Sequence, residues 1–215
     1  MKKNILLAVD SSLRYTGIAV AVGRGEKFEV LSEINTDIGH KQATELPNLA
    51  EKAIVSSGIN IKEITHVAVT NGPGYFTGVR IGMSWSSAFA LGIGARVVPV
   101  GTLEALMLSS SGVTPSIYLV YAGRNSVYAI SSGFPVNLTA GEYDTNYIAE
   151  WADTHKSGNF LVFADNTEKI TIPSLRNLQK ITHSISNVVK VGWNKRESHS
   201  ISPFELRANW CKSPV

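Results

Sequence analysis

A glycine-rich turn between a short strand and an uncharged helix constrains this chain more than any other segment. Residues 67–70 are rich in β-branched side chains and predict a buried strand. The sequence NGPGYFTGVRIG follows at 71–82, and its glycines allow a tight turn whose backbone can approach another group closely. Arg80 is the only fixed charge between residues 64 and 95. The helix predicted at 77–92 must therefore be buried or covered by a partner.

Two interpretations of the turn stay open at this stage. Unpaired backbone N–H groups at a helix N-terminus can hold an anion. The alternative is a tight turn that lets the helix pack closely on its sheet. The glycine spacing fits neither a Walker loop nor a dinucleotide fingerprint. The residues concerned in both interpretations are Gly72, Gly74, Thr77 and Gly78.

The predicted helix at 77–92 has two faces that each require a neighbour. One face is a ridge of small residues at every fourth position, which permits the close approach of another backbone: Gly78, Gly82, Ser86 and Ala90. The adjoining face carries bulk, chiefly Ile81, Trp85 and Phe89. The chain's own core supplies one neighbour, and we expect a second subunit to supply the other.

The composition is that of a globular, intracellular protein. Of 215 residues, 44% are hydrophobic and 17% are charged, and the net charge of +3 is too mild to demand nucleic acid as a ligand. A single cysteine, Cys211, cannot form an intrachain disulfide, which suits a reducing compartment. The apolar run at 5–9 ends at Asp10, too early for a signal peptide or a membrane span. We expect a cytoplasmic location and no membrane association.

The order of predicted elements indicates an α/β protein with mixed sheets flanked by helices. The first half reads as three strands, a helix, a strand, a helix and a strand, at 5–9, 17–22, 28–32, 40–57, 67–70, 77–92 and 96–100. A helix opens at 102, and the second half has weaker periodicity, with strands at 117–121, 127–130 and 160–163 and a helix at 146–155. We place an N-terminal lobe at 1–101 and a smaller, divergent lobe at 102–215.

Asp10, Ser11 and Ser12 lie at the first bend of the chain. A carboxylate and two hydroxyl groups in this place can serve chemistry. They can equally form a local turn, in which the aspartate accepts a hydrogen bond from Ser12. The residues themselves leave both alternatives open.

Several motifs together resemble the bacterial TsaB (YeaZ) family. They are LAVDSS at 7–12 with TGIAV at 16–20, and GPGYFTGVRIG at 72–82, where Tyr75 replaces a serine usual in the family. His40, a Leu-Pro pair at 46–47 and VPV at 98–100 follow in the expected order, and the resemblance extends to about residue 106. Beyond residue 106, YAGR at 121–124 lacks the acidic residue that the family has there. PFELR at 203–207 resembles the family's closing motif but differs from it at Phe204 and Glu205.

The resemblance implies an actin-like ATPase fold of two ribonuclease-H-like lobes and a noncatalytic role. Family members pair with the catalytic subunit TsaD. With the ATPase TsaE, they assist threonylcarbamoyl transfer to the adenosine beside the tRNA anticodon. The resemblance further implies a homodimer in isolation, contact with tRNA through the complex, and no cofactor. The implied interface lies on the helices at 40–57 and 77–92, and we assign it to His40, Leu46, Ala50, Ile54, Gly78, Gly82, Trp85, Ser86 and Phe89.

An enzyme acting by itself is the alternative, either a glycoprotease-like metallopeptidase or an ATP-dependent transferase. TsaD-like subunits bind metal through a His-x-x-x-His motif, whereas this chain has Thr102 and Leu106 at those positions, so we expect no metal there. Superfamily kinases have a glycine in the phosphate turn that follows the first strand. This chain lacks that glycine, which leaves Asp10, Ser11 and Ser12 as weak nucleotide candidates.

A self-sufficient tRNA-binding module is a third possibility. Such a module needs a basic patch interleaved with aromatic residues. Residues 193–196 and 207–212 form a faint version of such a patch. We interpret both segments as a solvated tail.

Overall fold

The computed structural model describes residues 3–110, 113–156, 158–175 and 178–211. In chain order its elements are β1 (Asn4–Asp10), β2 (Thr16–Arg24), β3 (Lys27–Thr36), α1 (Gln42–Ser57), β4 (His66–Thr70), α2 (Phe76–Ile93), β5 (Arg96–Val100), α3 (Thr102–Met107), β6 (Ser116–Gly123), β7 (Ser126–Ser132), β8 (Gly141–Asp144), α4 (Thr145–His155), β9 (Leu161–Ala164), β10 (Leu178–Lys180) and α5 (Ile185–Lys195). Single 3₁₀ turns lie at Ile61–Glu63 and Pro203–Glu205.

The first unit is built on a mixed sheet of order β3-β2-β1-β4-β5. The first three strands form an antiparallel meander, and β4 and β5 continue parallel to β1. Every residue of β1 is buried, which explains its continuous apolar sequence. Alternate side chains of β1, including Ile5 and Leu7, pack with α1 and α2 on one face of the sheet.

The opposite face of the first sheet is covered by α5, which comes from the far end of the chain. A Cβ atom added at Gly192 would lie 2.5 Å from Cβ of Ala68 in β4, so the helix sits directly on the strands. Trp193 is fully buried, with its ring centroid 5.2 Å from that of Phe28, and its indole N–H donates to the carbonyl of Gly25. Both layers of the first unit are therefore complete only with residues from the C-terminal region.

The second unit has its own mixed sheet, of order β10-β9-β6-β7-β8, and its own core. Strands β6, β7 and β8 are antiparallel neighbours, and β9 runs parallel to β6. The core joins β6 residues such as Ile117 to the inner face of α4, where Ile148 and Ala152 are fully buried. Within the described residues, no helix is long and apolar enough to cross a membrane.

Two mixed five-stranded sheets flanked by helices confirm the predicted α/β, actin-like fold class. The division of the chain differs from the predicted one. The first unit runs to Thr102, as expected, but it also includes Ser184–Asn209, whereas the second unit is Leu103–His183 and resumes at Trp210. The reason is that a central strand buried on both faces needs a helix on each side, and α5 supplies the second one.

The interpretation of residues 193–196 as part of a solvated tail is wrong. Trp193 is fully buried, and Arg196 is only 5% exposed. The guanidinium of Arg196 stacks 4.2 Å from the Trp193 ring and donates to the carbonyls of Trp193 and Gly25. These side chains fix α5 to the turn after β2, so they are not a free basic patch.

Candidate functional site

Asp10 forms a hydrogen-bond centre where the parallel strands β1 and β4 end side by side. One carboxylate oxygen, Oδ1, accepts from the backbone N–H of Ser12 at 2.9 Å, from the Ser12 hydroxyl at 2.7 Å and from the Thr70 hydroxyl at 2.6 Å. The Asp10 residue is 3% exposed. Three donors on one oxygen hold the carboxylate in place and tie the end of β1 to the end of β4.

The expectation that Asp10, Ser11 and Ser12 bind a nucleotide receives no support from their surroundings. All three are buried, and the Ser11 hydroxyl donates to the carbonyl of Gly78 at 2.8 Å. The hydroxyl groups and the carboxylate oxygen Oδ1 therefore contact the chain itself, at Ser12, at Thr70 in β4 and at Gly78 in α2. The local-turn alternative describes this segment.

The glycine-rich turn closes on the same segment. Gly72 has φ +104°, and a Cβ atom there would lie 2.5 Å from the carbonyl oxygen of Asn209. At Gly74 a Cβ atom would come still closer to the carbonyl oxygen of Ser12, which also accepts from the N–H of Tyr75 at 2.7 Å. The close backbone approach that the glycines permit is to the chain itself, so the packing interpretation of the turn accounts for Gly72 and Gly74.

The small-residue ridge of α2 packs inside the chain. A Cβ atom at Gly82 would lie 2.5 Å from Oγ of Ser11, and one at Gly78 would come closer still to the carbonyl oxygen of Ser11. Ser86 and Ala90 continue the ridge and are fully buried. The ridge seats α2 against the end of β1, which corrects the assignment of Gly78, Gly82 and Ser86 to a partner interface.

The interface positions assigned on α1 need the same correction. Leu46, Ala50 and Ile54 belong to the core between α1 and the first sheet and are at most 7% exposed. Their helical spacing reflects the face turned to the sheet. A partner cannot reach them while the chain is folded.

The residues that α1 and α2 present to solvent form what we call the outer helical face. On α2 they include the exposed Phe76, Thr77, Arg80, Ser84, Ala88 and Leu91, with Ile81, Trp85 and Phe89 half-buried at the edge. On α1 they include Ala43, Pro47 and Val55 as well as the charged Glu51 and Lys52, and His40 is exposed just before the helix. The Trp85 and Phe89 rings stack at 4.8 Å. Of the predicted interface residues, the structure thus leaves His40, Trp85 and Phe89 accessible.

The exposed part of α2 has unusual chemistry for a solvent-facing surface. Arg80 is its only charged residue, and the guanidinium lies 5.0 Å from the ring centroid of Phe76, which is itself 58% exposed. Leu91 is 53% exposed. An exposed, nearly uncharged helical surface of this kind is typical of a protein–protein contact.

The described part of the chain contains no group of three or more His, Cys, Asp or Glu residues arranged to hold a metal ion. His40 and His199 are exposed, whereas His183 is buried in the second unit. The peptidase alternative requires a zinc site, and the described residues do not form one.

The sequence pattern contained the signal for Ser84 and Ala88, although our interpretation missed these residues. Positions 78, 82, 86 and 90 lie on one stripe of a helix, so positions 77, 84 and 88 lie on the far side. We assigned the first stripe to a partner because small residues permit close approach. The same property fits close approach to the chain's own strand.

Comparison with known proteins identifies the family. A family model described as TsaD, tRNA N6-adenosine threonylcarbamoyltransferase, matches residues 35–154, more than half of the chain. The tRNA threonylcarbamoyladenosine biosynthesis protein TsaB of Buchnera aphidicola is 25% identical over 205 residues, which cover 95% of this chain and 86% of the relative. The chain belongs to the TsaB/YeaZ family.

Other relatives of this TsaB/YeaZ family member match over different lengths. TsaB of Haemophilus influenzae is 29% identical over 106 residues, 49% of this chain and 43% of that protein. A tRNA N6-adenosine threonylcarbamoyltransferase of Streptococcus pneumoniae is 24% identical over 200 residues. The matched region covers 85% of this chain but 56% of the transferase.

Solved structures agree with the fold of the TsaB/YeaZ family. A Pseudomonas aeruginosa protein described as similar to peptidase YEAZ superimposes with a TM-score of 0.77 and 17% identity, covering 97% of this chain and 99% of that one. YeaZ from Pseudomonas aeruginosa gives a TM-score of 0.73 at 16% identity, covering 96% and 99%. At this identity the likeness concerns the fold alone.

Proposed function

We propose that this chain is a noncatalytic subunit of the machinery that makes threonylcarbamoyladenosine beside the anticodon of tRNA. Membership of the TsaB/YeaZ family and the name of its Buchnera relative support the pathway. The chain works in the cytoplasm, and it meets tRNA through the complex.

The surroundings of Asp10 support a noncatalytic role. Oδ1 of its carboxylate accepts three hydrogen bonds from the chain, and the neighbouring hydroxyl groups are buried. A general base or metal ligand must reach a substrate or an ion, and these groups make hydrogen bonds within the chain instead. The transfer chemistry then belongs to a TsaD-like partner, with a TsaE-like ATPase as a further member of the complex.

The observation that carries the proposal is the outer helical face. Its α2 part is exposed and largely apolar, with Arg80 as the only charged residue of that helix, whereas its α1 part also presents Glu51 and Lys52. Such a surface gains free energy when a matching surface covers it, and stable complexes typically bury roughly 1,200–2,000 Å². The TsaD-like subunit covers this face in the complex. In isolation a second copy of the chain covers it, giving a homodimer.

Reconstitution tests the noncatalytic role. The TsaD-like subunit and the TsaE-like ATPase of the same cell are purified separately and mixed with unmodified tRNA, ATP and an activated threonylcarbamoyl donor, with and without this chain. Mass spectrometry of digested tRNA then measures the threonylcarbamoyl nucleoside. We expect product only when this chain and the TsaD-like subunit are both present. Product formed by this chain without the TsaD-like subunit would overturn the proposal, as would full activity of the other components without this chain.

A further inference from the structure

A ring-lined cavity of about 730 Å³ lies in the second unit, between α4 and the segment at 136–139. This volume falls in the range of small-molecule sites, roughly 300–1,000 Å³. The cavity belongs to the second unit alone, and the proposed function makes no use of it.

Four rings spaced four residues apart line one wall of the cavity. Tyr143 lies in β8, directly before α4, and Tyr147, Trp151 and His155 follow along the helix. The Tyr143 and Tyr147 rings are stacked at 5.4 Å with an interplanar angle of 8°, and the Trp151 and His155 rings are stacked at 4.8 Å and 17°. Tyr147 is 48% exposed, so its ring is open to a ligand.

The opposite wall is held in place by hydrogen bonds. The Leu138 N–H donates to the Ser131 hydroxyl at 2.7 Å, and the Ser131 N–H donates to the Leu138 carbonyl at 3.1 Å. The Asn137 side chain accepts from the N–H of Phe134 at 3.1 Å. These bonds fasten the segment to β7, so the cavity is formed before any ligand arrives.

The charge around the cavity favours a cation. The described residues that line it include two carboxylates, Glu142 and Asp144, and neither lysine nor arginine. A phosphate or an RNA backbone would meet only repulsion from these acidic groups. Aromatic faces attract cations through the ring quadrupole, so the rings and the carboxylates act in the same direction.

The cavity offers hydrogen-bond acceptors beside its rings. The Tyr143 hydroxyl donates its proton to the Thr139 carbonyl at 2.7 Å, which leaves its oxygen able to accept. Because a carbonyl can only accept, the Nδ1–H of His155 donates to the carbonyl of Trp151 at 2.9 Å, which fixes the ring on α4. A ligand with N–H donors on a positive group complements this set.

We propose that this cavity binds an organic cation with an apolar body, whose ammonium or guanidinium group lies against the rings of α4 and near Glu142 and Asp144. A free amine and a lysine or arginine side chain of a peptide share this chemistry. The proposal is independent of the pairing face on α1 and α2.

Binding of matched small probes tests the proposal. Protein labelled with ¹⁵N is titrated with 2-phenylethylamine, with neutral 2-phenylethanol and with the anion 3-phenylpropionate. We expect saturable shifts confined to the cavity residues with the amine alone. A capped tripeptide with a central arginine, compared with its citrulline analogue, shows whether a peptide side chain also fits.

Two variants assign any binding to the cavity. Tyr147→Ala removes an exposed ring, and we expect it to weaken amine binding by roughly three- to thirtyfold. Asp144→Asn removes a charge and keeps a residue able to cap α4, where the Asp144 side chain now accepts from the N–H of Asn146. Tyr15→Ala is the control, because Tyr15 is a partly exposed tyrosine of the first unit.

The outcomes separate cleanly. Amine or arginine-peptide binding that exceeds its neutral analogue and weakens in Tyr147→Ala and Asp144→Asn, but not in Tyr15→Ala, supports the proposal. Equal binding of charged and neutral probes, no saturable binding of either cation, or binding unchanged in both cavity variants overturns it. Circular dichroism melts verify that each variant is folded.

Discussion

At the scale of single residues, Asp10 shows how one buried side chain holds distant segments together. Its Oδ1 atom joins the turn at Ser12 to the end of β4 at Thr70, which is 60 positions further along the chain. The same oxygen also accepts from the Ser12 hydroxyl. A carboxylate used in this way contributes to the stability of the fold.

Replacing Asp10 by alanine should destabilise the protein strongly. Three buried donors would lose an acceptor, and we expect the free energy of unfolding to fall by about 3 kcal/mol. Urea denaturation followed by circular dichroism measures the change. Asp153→Ala is the control, because Asp153 is exposed and forms a surface ion pair with Lys156. Its effect should stay within about 0.5 kcal/mol. Equal effects of the two variants would contradict the structural role of Asp10.

Cys211 should make stability depend on alkaline pH. Burial, assisted by the charge of Glu142, raises the pKa of this thiol above its ordinary value of 9.0. The pKa of this thiol is higher in the folded state than in the unfolded state. Its contribution to the free energy of unfolding is therefore complete below the unfolded-state pKa and is lost as the pH rises through the folded-state pKa. Burial raises the pKa of Tyr128 in the same direction. Cys211→Ala should therefore lose less stability than the wild type as the pH rises above the ordinary thiol pKa of 9.0. Parallel pH profiles would contradict this account.

At the scale of elements, α2 shows what the sequence could and could not reveal. Its spacing correctly grouped Gly78, Gly82, Ser86 and Ala90 on one face. Spacing tells which residues share a face, but it does not tell which neighbour covers that face. The neighbour is the end of β1, which lies 67 positions away from Gly78 at Ser11. The spacing also placed Ser84 and Ala88 on the opposite stripe, but only the folded chain shows that this stripe is the one left exposed.

Two glycines of α2 give a matched test of this packing. Gly78→Ala places a methyl group against the carbonyl oxygen of Ser11, and we expect a loss of roughly 2–3 kcal/mol in the free energy of unfolding. Gly92 lies in the same helix, and a Cβ atom there meets nothing within 4 Å. Gly92→Ala should therefore gain about 0.5–1 kcal/mol from helix propensity. Thermal and urea unfolding of both variants measure the difference. A neutral Gly78→Ala would show that the ridge is loosely packed.

In the second unit, too, the sequence predicted a helix but not the contacts that surround it. The residues of α4 repeat at helical spacing, and the helix at 146–155 was predicted nearly to its observed bounds. The cavity beside it was not predicted, because it depends on the bonds between Ser131 and Leu138, which fix a loop that lacks periodicity.

At the scale of the whole molecule, the fold class and the chain order of the first five strands could be predicted, whereas β8, β10 and α5 were not predicted. Ser184 caps α5 through a hydrogen bond to the N–H of Ser186, and apolar residues such as Val188 and Val189 recur along the helix. These local signals were present in the sequence. The return of α5 to the first sheet is a long-range contact, so no local pattern encodes it.

The central claim concerns the outer helical face, and one measurement tests it directly. Ala88→Arg places a charge on the exposed side of α2, while Ala140→Arg places the same charge on an exposed position of the second unit. The affinity of each variant for the purified TsaD-like subunit is measured by isothermal titration calorimetry, after circular dichroism shows that both are folded.

We predict that Ala140→Arg binds like the wild type and that Ala88→Arg binds at least about tenfold more weakly, because an unpaired charge would be buried in the interface. Wild-type affinity in Ala88→Arg, or no binding by the wild type itself, would contradict pairing through this face.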